Sequence, residues 1–248
     1  MRKRILITGA SAGLGEEMAR QFGSMGRDLA LCARRGERLE ALRAEVISAR
    51  PEVDVAVRGL DVTDHDAVFR VFGELRDELG GLDRIIVNAG LGKGQPVGTG
   101  WFAANRQTAE TNFVAALAQC EAAMEIFREQ RSGHLVVISS MSAMRGLPRN
   151  LTTYAASKAG VAALAEGIRA DTLGTGITVT TVFPGYIRSE MNSRAGRRPL
   201  LVDTKPGVAS MVKAIERERA RACTPSWPWT PLGFAMRHLP LGWVGALS

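Results

Sequence analysis

Only three cysteines occur in the 248 residues, Cys32, Cys120 and Cys223, and they are too far apart to make a Cys-x-x-Cys pair. That scarcity excludes a disulfide framework and a cysteine-based structural zinc site, and it points to a reducing, cytoplasmic setting. Aromatic residues make up 6% of the chain, too few to interleave a basic surface with the stacking rings that bind single-stranded nucleic acid. No apolar run approaches the roughly 18 residues needed to span a bilayer. Residues 1–9 begin like a leader, but the apolar run ends after Ile7 with no cleavage-like stretch behind it, so they read as a first strand. His65, His134 and His238 show no ligand spacing, and no metal is expected. Linkers, internal repeats and low-complexity segments are missing too, which predicts one domain over residues 1–248.

What is present is a chain with 46% hydrophobic and 23% charged residues and a formal net charge of +7. The location of that charge decides its meaning. From Arg188 onward ten basic residues face four acidic ones, a balance of +6 out of +7. The body is therefore nearly neutral, and a nucleic-acid partner is not expected.

Short runs rich in Val, Ile and Leu, at 4–8, 28–33, 53–60, 82–88, 134–139 and 177–183, alternate with segments whose apolar residues recur every three or four positions, at 14–25, 37–49, 64–79, 104–130 and 153–173. The β-α-β-α order predicts an α/β fold: a doubly wound parallel sheet in a Rossmann-like three-layer sandwich, its core at 1–183 and its ligand at the carboxyl ends of the strands. Residues 184–206 lack a clear period and read as a substrate loop with a short helix; 206–219 read as a helix and 221–227 as a last short strand. The tail, 228–248, gathers Trp229, Phe234, Met236, Leu239, Leu241, Trp243 and Val244 among few charges.

Directly after the first strand comes Thr8-Gly9-Ala10-Ser11-Ala12-Gly13-Leu14-Gly15. Gly9, Gly13 and Gly15 would let the backbone turn tightly and let a pyrophosphate approach the N-H groups at the start of a helix, with Ser11 and Leu14 in the same loop. At the end of the second strand, where an acidic residue would hold the free ribose hydroxyl of NAD, stands Ala33, followed by Arg34 and Arg35. Two guanidiniums there suit a 2'-phosphate, so NADP(H) is the expected cofactor. Farther along, Tyr154-Ala155-Ala156-Ser157-Lys158 places Tyr and Lys on one helix face after a strand ending Ile138-Ser139-Ser140. A free tyrosine titrates near pH 10, so proton transfer near neutrality needs a nearby cation, and Lys158 supplies one.

With Asp61-Val62-Thr63, Asn88-Ala89-Gly90, Asn112 in the long fourth helix and Pro184-Gly185-Tyr186-Ile187-Arg188-Ser189 following in order, the chain from Lys3 to about Met191 resembles the short-chain dehydrogenase/reductase family in its shorter, single-domain branch. The resemblance implies adenine contacts at Asp61 and Val62, passage of the Asn88, Ala89 and Gly90 backbone beside the cofactor ribose, ribose contacts at Lys158, and carboxamide contacts at Ile187 and Ser189 in the segment opened by Pro184 and Gly185. It further implies that Tyr154 exchanges a proton with the substrate oxygen, Ser140 holds that oxygen, and Asn112 anchors a water relaying protons to Lys158. A homodimer or homotetramer is the implied assembly.

Three positions depart from the family pattern. Ser140 stands 14 residues before Tyr154, one more than usual, while Val87 replaces an Asn and Ala12 replaces the Arg that many NADP-using members carry. The alternation of side chains along a strand lets only one of Ser139 and Ser140 face the site; Ser140 is preferred, with Ser142 a third candidate. The expected function is carbonyl–alcohol interconversion on a small or lipid-like substrate. The alternatives are a cofactor-binding regulatory protein without turnover and a membrane-surface protein. For the tail three readings stand: a lid, packing on its own domain or a second subunit, and peripheral contact with anionic lipid.

Overall fold

The computed structural model describes residues 2–190 and 200–246. Seven parallel strands form one sheet in the order β3-β2-β1-β4-β5-β6-β7: β1 (Arg4–Thr8), β2 (Asp28–Ala33), β3 (Val55–Gly59), β4 (Arg84–Val87), β5 (Gly133–Ile138), β6 (Ile177–Pro184) and β7 (Arg221–Thr224). The order reverses between β1 and β4, which pair directly, so a crevice opens at their carboxyl ends. The inner strands β1, β2, β4, β5 and β6 are buried on both faces, and the edge strands β3 and β7 are partly exposed. Ile5, Ile7, Leu29, Leu31, Val136 and Ile138 point to one side, and Leu6, Ala30, Cys32, Leu135 and Val137 to the other.

Two helical layers cover these faces. Helices α1 (Gly13–Ser24), α2 (Gly36–Ala49) and α7 (Thr204–Glu216) bury Met18, Phe22, Leu39, Met211 and Ile215 on the first side. On the second, α3 (His65–Glu78), α5 (Ala115–Gln130) and α6 (Thr152–Asp171) bury Phe72, Leu75, Phe127, Val161 and Ala165. Asp64 caps α3, its carboxylate accepting from Ala67 N at 3.1 Å.

The helix expected over 104–130 is interrupted. It divides into α4 (Phe102–Ala109), a π turn (Glu110–Val114) and α5. The π turn carries Asn112, whose side chain holds both the N-H and the C=O of Leu91, each at 2.8 Å. An extra residue in one helical turn, a feature apolar periodicity does not reveal, gives Asn112 that position.

The last strand is also shorter than expected. β7 ends at Thr224, and α8 (Ser226–His238) begins two residues later. Trp227, held extended before Pro228 (φ −103°, ψ 132°), breaks its first turn, as the residue before a proline is driven out of the helical region. A short α9 (Leu241–Ala246) follows. Residues 191–199 of the expected substrate loop, and the last two residues of the tail, lie outside the described residues. The loop's described flanks are joined by a parallel bridge between Ile187 and Val202. Among the described residues no helix is long and apolar enough to cross a membrane.

The amino ends of the strands bury charge. Arg84, 1% exposed, donates from Nε to His134 Nδ1 at 2.8 Å and pairs with Glu216, which also takes Arg27 at 2.6 Å. His134 Nε2 meets Thr180 Oγ1 at 2.8 Å. Burial, then the Arg84 charge, pushes the His134 pKa down to about 3, so the imidazole is neutral. Glu218 accepts from Arg2 at 2.9 Å and from Thr178 at 2.7 Å.

Candidate active site

At the carboxyl ends the chain first builds a glycine-lined turn. Gly9 and Gly13 take φ of +66° and +58°, which favour glycine. A Cβ on Gly15 would run into Gly9 O and the Asn88 side chain, so this glycine is required for α1 to approach the end of β4. Thr8 fastens the two strands: its Oγ1 accepts from Asn88 N at 3.0 Å and from Ala89 N at 3.1 Å, and its carbonyl accepts from Asn88 Nδ2 at 2.9 Å. Ala12, at the N-cap of α1, has no side-chain oxygen to satisfy the first N-H groups of that helix. A cleft of about 390 Å³ lies against this turn, lined by Gly13, Glu16, Arg20, Arg188, Ser189 and Glu190.

The residues after β2 and β3 complete this half. Ala33 is buried at the end of β2, and Leu60 N donates to its carbonyl at 3.0 Å. Arg35 Nε donates to Ser11 Oγ at 3.1 Å, tying the second strand's end to the glycine turn. Glu190 bridges two arginines, Arg35 at 3.0 Å and Arg38 at 2.6 Å. Arg38 was not singled out in the sequence; its signal would have been its place one helical turn beyond Arg34. Asp61 accepts from Thr63 N at 3.1 Å and Thr63 Oγ1 at 2.8 Å. Partial burial works against its charge, but these bonds and the nearby Arg34 outweigh burial and hold its carboxyl below the usual range. Val62 is buried in the core beside it.

The second half gathers the acid/base residues. Ser139 and Ser140 diverge as alternation requires: Ser139 is buried and donates to the Lys158 carbonyl at 2.7 Å, whereas the Ser140 side chain faces that of Tyr154. Ser142 contributes its backbone N-H to Ser140 Oγ at 3.1 Å. One turn along α6 from Tyr154, Lys158 is 6% exposed and donates to the Ile138 carbonyl at 2.9 Å. Burial pushes its pKa down to about 8. Burial likewise raises the Tyr154 phenol, and the Ser140 hydroxyl partly opposes that. A Cβ on Gly90 would touch Asn112 Oδ1 at 3.1 Å and Lys158 Nζ at 3.5 Å, so the turn after β4 lies against the Lys158 ammonium. Asn112 Nδ2 also reaches Ser157 Oγ at 3.3 Å, linking that turn to α6.

Beyond β6, Gly185 N donates to Thr224 O at 2.9 Å, and the space a Cβ would take at Gly185 is filled by the Trp229 indole. Trp229, 3% exposed, meets the Tyr186 ring edge-on with centroids 5.3 Å apart and packs with Met141 and Phe183. Ile187 is buried against Gly207 of α7. The tail thus packs one face of α8 on its own chain, walling the Ser140 side of the site. Sequence reasoning gave Trp229 no partner; Gly185, 44 positions earlier, could not be paired with it by spacing.

Comparisons with known proteins agree with this geometry. A family model described as short chain dehydrogenase matches residues 3–199. An uncharacterized oxidoreductase of Mycobacterium tuberculosis is 53% identical over 239 residues, 96% of this chain and 94% of that protein. An uncharacterized oxidoreductase of Myxococcus xanthus is 36% identical over 225 residues, 90% of this chain and 87% of that protein. Among solved structures, a short-chain type dehydrogenase/reductase from Mycobacterium marinum shares the fold with a TM-score of 0.81 at 24% identity, covering 89% of this chain and 92% of that one. With the motifs in family order on a sheet of this topology, the chain belongs to the short-chain dehydrogenase/reductase family of nicotinamide-dependent oxidoreductases.

Proposed function

We propose that the protein is an NADP(H)-dependent oxidoreductase that interconverts a carbonyl and an alcohol on a small or lipid-like substrate, with Tyr154 as the acid/base. The observation that carries this reading is the Ser140–Tyr154–Lys158 arrangement: a hydroxyl facing the phenol, and a buried ammonium one helical turn away whose proton affinity is already lowered. A binding-only module has no use for a cation buried at that cost.

The glycine turn fits a dinucleotide, because Gly9, Gly13 and Gly15 keep side-chain volume out of the approach to α1. Ser11, Leu14, Asp61, Val62, Asn88, Ala89, Gly90, Pro184, Gly185, Ile187 and Ser189 would line the rest of the cofactor site. Arg34 and Arg35, next to Ala33, favour a 2'-phosphate over a free hydroxyl. When bound, the nicotinamide would supply or accept the hydride. In the reducing direction Tyr154 gives its proton to the substrate oxygen, Ser140 donates a hydrogen bond where alkoxide charge develops, and the Lys158 charge stabilises the phenolate left behind. Asn112 positions the turn after β4 and Ser157 around Lys158, where a water would return the proton. The chain acts as one domain, and its three free thiols suit a reducing, cytoplasmic compartment. A homodimer or homotetramer is the proposed assembly.

NADPH consumption, with NADH in parallel, against carbonyls from small ketones to long-chain keto lipids tests this. Turnover with NADPH that falls about a hundredfold or more in Tyr154→Phe is expected. Tight NADPH binding without turnover of any compound by the wild type would favour the regulatory, binding-only alternative.

A further inference from the structure

The connections leaving β4, β5 and β7 meet at one corner of the carboxyl edge. Gly94 is pressed against Asn150 O, Leu147 and Leu151 pack with Met236 of α8 and with Leu239 just beyond it, and Arg145 Nη1 donates to Arg237 O at 3.0 Å. Residues 88–109, 139–165 and 225–246, which leave the carboxyl ends of those strands, contain no Asp or Glu, and Glu110 is the first acid that follows on the α4 side. They do contain Lys93, Arg106, Arg149 and Arg237, all exposed. The corner also displays apolar bulk: Val97, Trp101 and Phe102 are 61–74% exposed, and Trp227, Phe234, Leu241 and Trp243 are 62–78% exposed. Elsewhere among the described residues, Leu173 is the one large apolar side chain exposed to that extent.

This distribution differs from that of the opposite half of the same edge. After β2 and β3 the chain carries Glu37, Asp61, Asp64 and Asp66, and after β6 the acidic Glu190 and Asp203 are each paired with arginine. A corner rich in Trp and Phe and bearing more Arg and Lys than carboxylates matches the interfacial region of an anionic bilayer: indoles favour the headgroup level and cations its surface potential.

We infer that this corner docks the protein peripherally on anionic membrane surface, with the 94–102 loop and the outer faces of α8 and α9 inserted among the headgroups. The α8 surface that carries Trp229 stays in the protein, so docking leaves the wall of the active site in place and turns that side of the site toward the lipid. The inference does not require turnover; its consequence for the proposed function is that a lipid-like carbonyl would reach the site from the bilayer.

Co-sedimentation of the full chain with vesicles of phosphatidylcholine alone, and of phosphatidylcholine mixed with phosphatidylglycerol, tests it. Binding is expected only to the anionic vesicles and should weaken with salt. Each of Arg149→Glu and Arg237→Glu should lower the partition coefficient by roughly fivefold or more, following the strength of one basic residue at an anionic surface. The double variant Trp227→Ser/Trp243→Ser should lower it further while retaining NADPH binding and the wild-type far-ultraviolet dichroism, which shows that it is folded. Equal behaviour with both vesicle types, or anionic binding that the variants leave unchanged, would overturn the inference. So would sedimentation-equilibrium data in which the wild type is an oligomer that the tryptophan variant dissolves, since the corner would then face a second copy.

Discussion

The two ends of the strands bury cations in opposite ways. At the amino ends Arg84 and Arg27 are buried against Glu216, with neutral His134 completing the hydrogen bonds. At the carboxyl ends Lys158 is as buried, yet its described partner is a carbonyl, that of Ile138, and no carboxylate among the described residues pairs with it. A buried charge with a counterion holds a fold in register even where burial lowers its pKa, whereas one lacking a counterion lowers stability. The first arrangement is structural. The second makes sense when the charge is reserved for a phenolate and a ligand that arrive during function.

The largest effect expected from disturbing this contrast is at the paired end. Glu216→Ala leaves Arg84 and Arg27 without their carboxylate and should cost about 3–5 kcal/mol of unfolding free energy. NADPH affinity measured well below the melting temperature should stay near wild type, because Glu216 is at the opposite end of the sheet. Acid should come next. The folded-state pKa of His134, about 3, is below its unfolded value near 6.5, and that of Glu218, about 2, is below its unfolded value near 4.3. In that window the unfolded chain binds more protons, so stability falls as pH drops from about 6.5 toward 2. Denaturation followed against pH should show His134→Gln, which keeps an acceptor and a donor, losing the part of this decline between about pH 6.5 and 3.

Smaller effects separate structure from chemistry at the active end. Ser139→Ala removes a bond to the Lys158 carbonyl and should cost about 1 kcal/mol of stability. Ser140→Ala should alter stability less and kcat more, because its hydroxyl faces the phenol; paired melting curves and kinetics distinguish the two. The weakest effect belongs to Glu190, which holds Arg35 and Arg38 across an exposed, salt-screened surface. Glu190→Gln should tighten NADPH binding a few-fold at low salt by freeing those guanidiniums, and Arg35→Ala should weaken it; fluorescence titration reads both.

Much of this was legible in the sequence, for physical reasons. Strands buried on both faces must be near-continuous apolar runs, so β1, β2 and β6 were found almost to the residue. The glycine turn and the Tyr154/Lys158 pair were legible because their spacing is local. Long-range pairings were not. Nothing in the sequence joins Arg84 to Glu216, Gly185 to Trp229 or Arg35 to Glu190 before the fold brings them together. The π turn at Asn112 escaped as well, since a stretch of only five residues is too short for a change of helical period to stand out in the apolar pattern.

The most direct measurement is the unfolding free energy of Lys158→Met against pH, beside its NADPH affinity and turnover. Burial lowers the Lys158 pKa from an unfolded value near 10.4 to about 8, so between those values the unfolded chain binds more protons and wild-type stability gains as pH rises. The buried thiols Cys32 and Cys120, pushed up to about 12, act in the opposite sense in both proteins, so the difference between the curves isolates the lysine. The expected result is a variant about 3 kcal/mol more stable at neutral pH, with an advantage that vanishes between about pH 8 and 10, and with turnover lost. A variant that is less stable at every pH would contradict the claim that Lys158 is a strained charge kept for chemistry, and would make it another structural cation like Arg84.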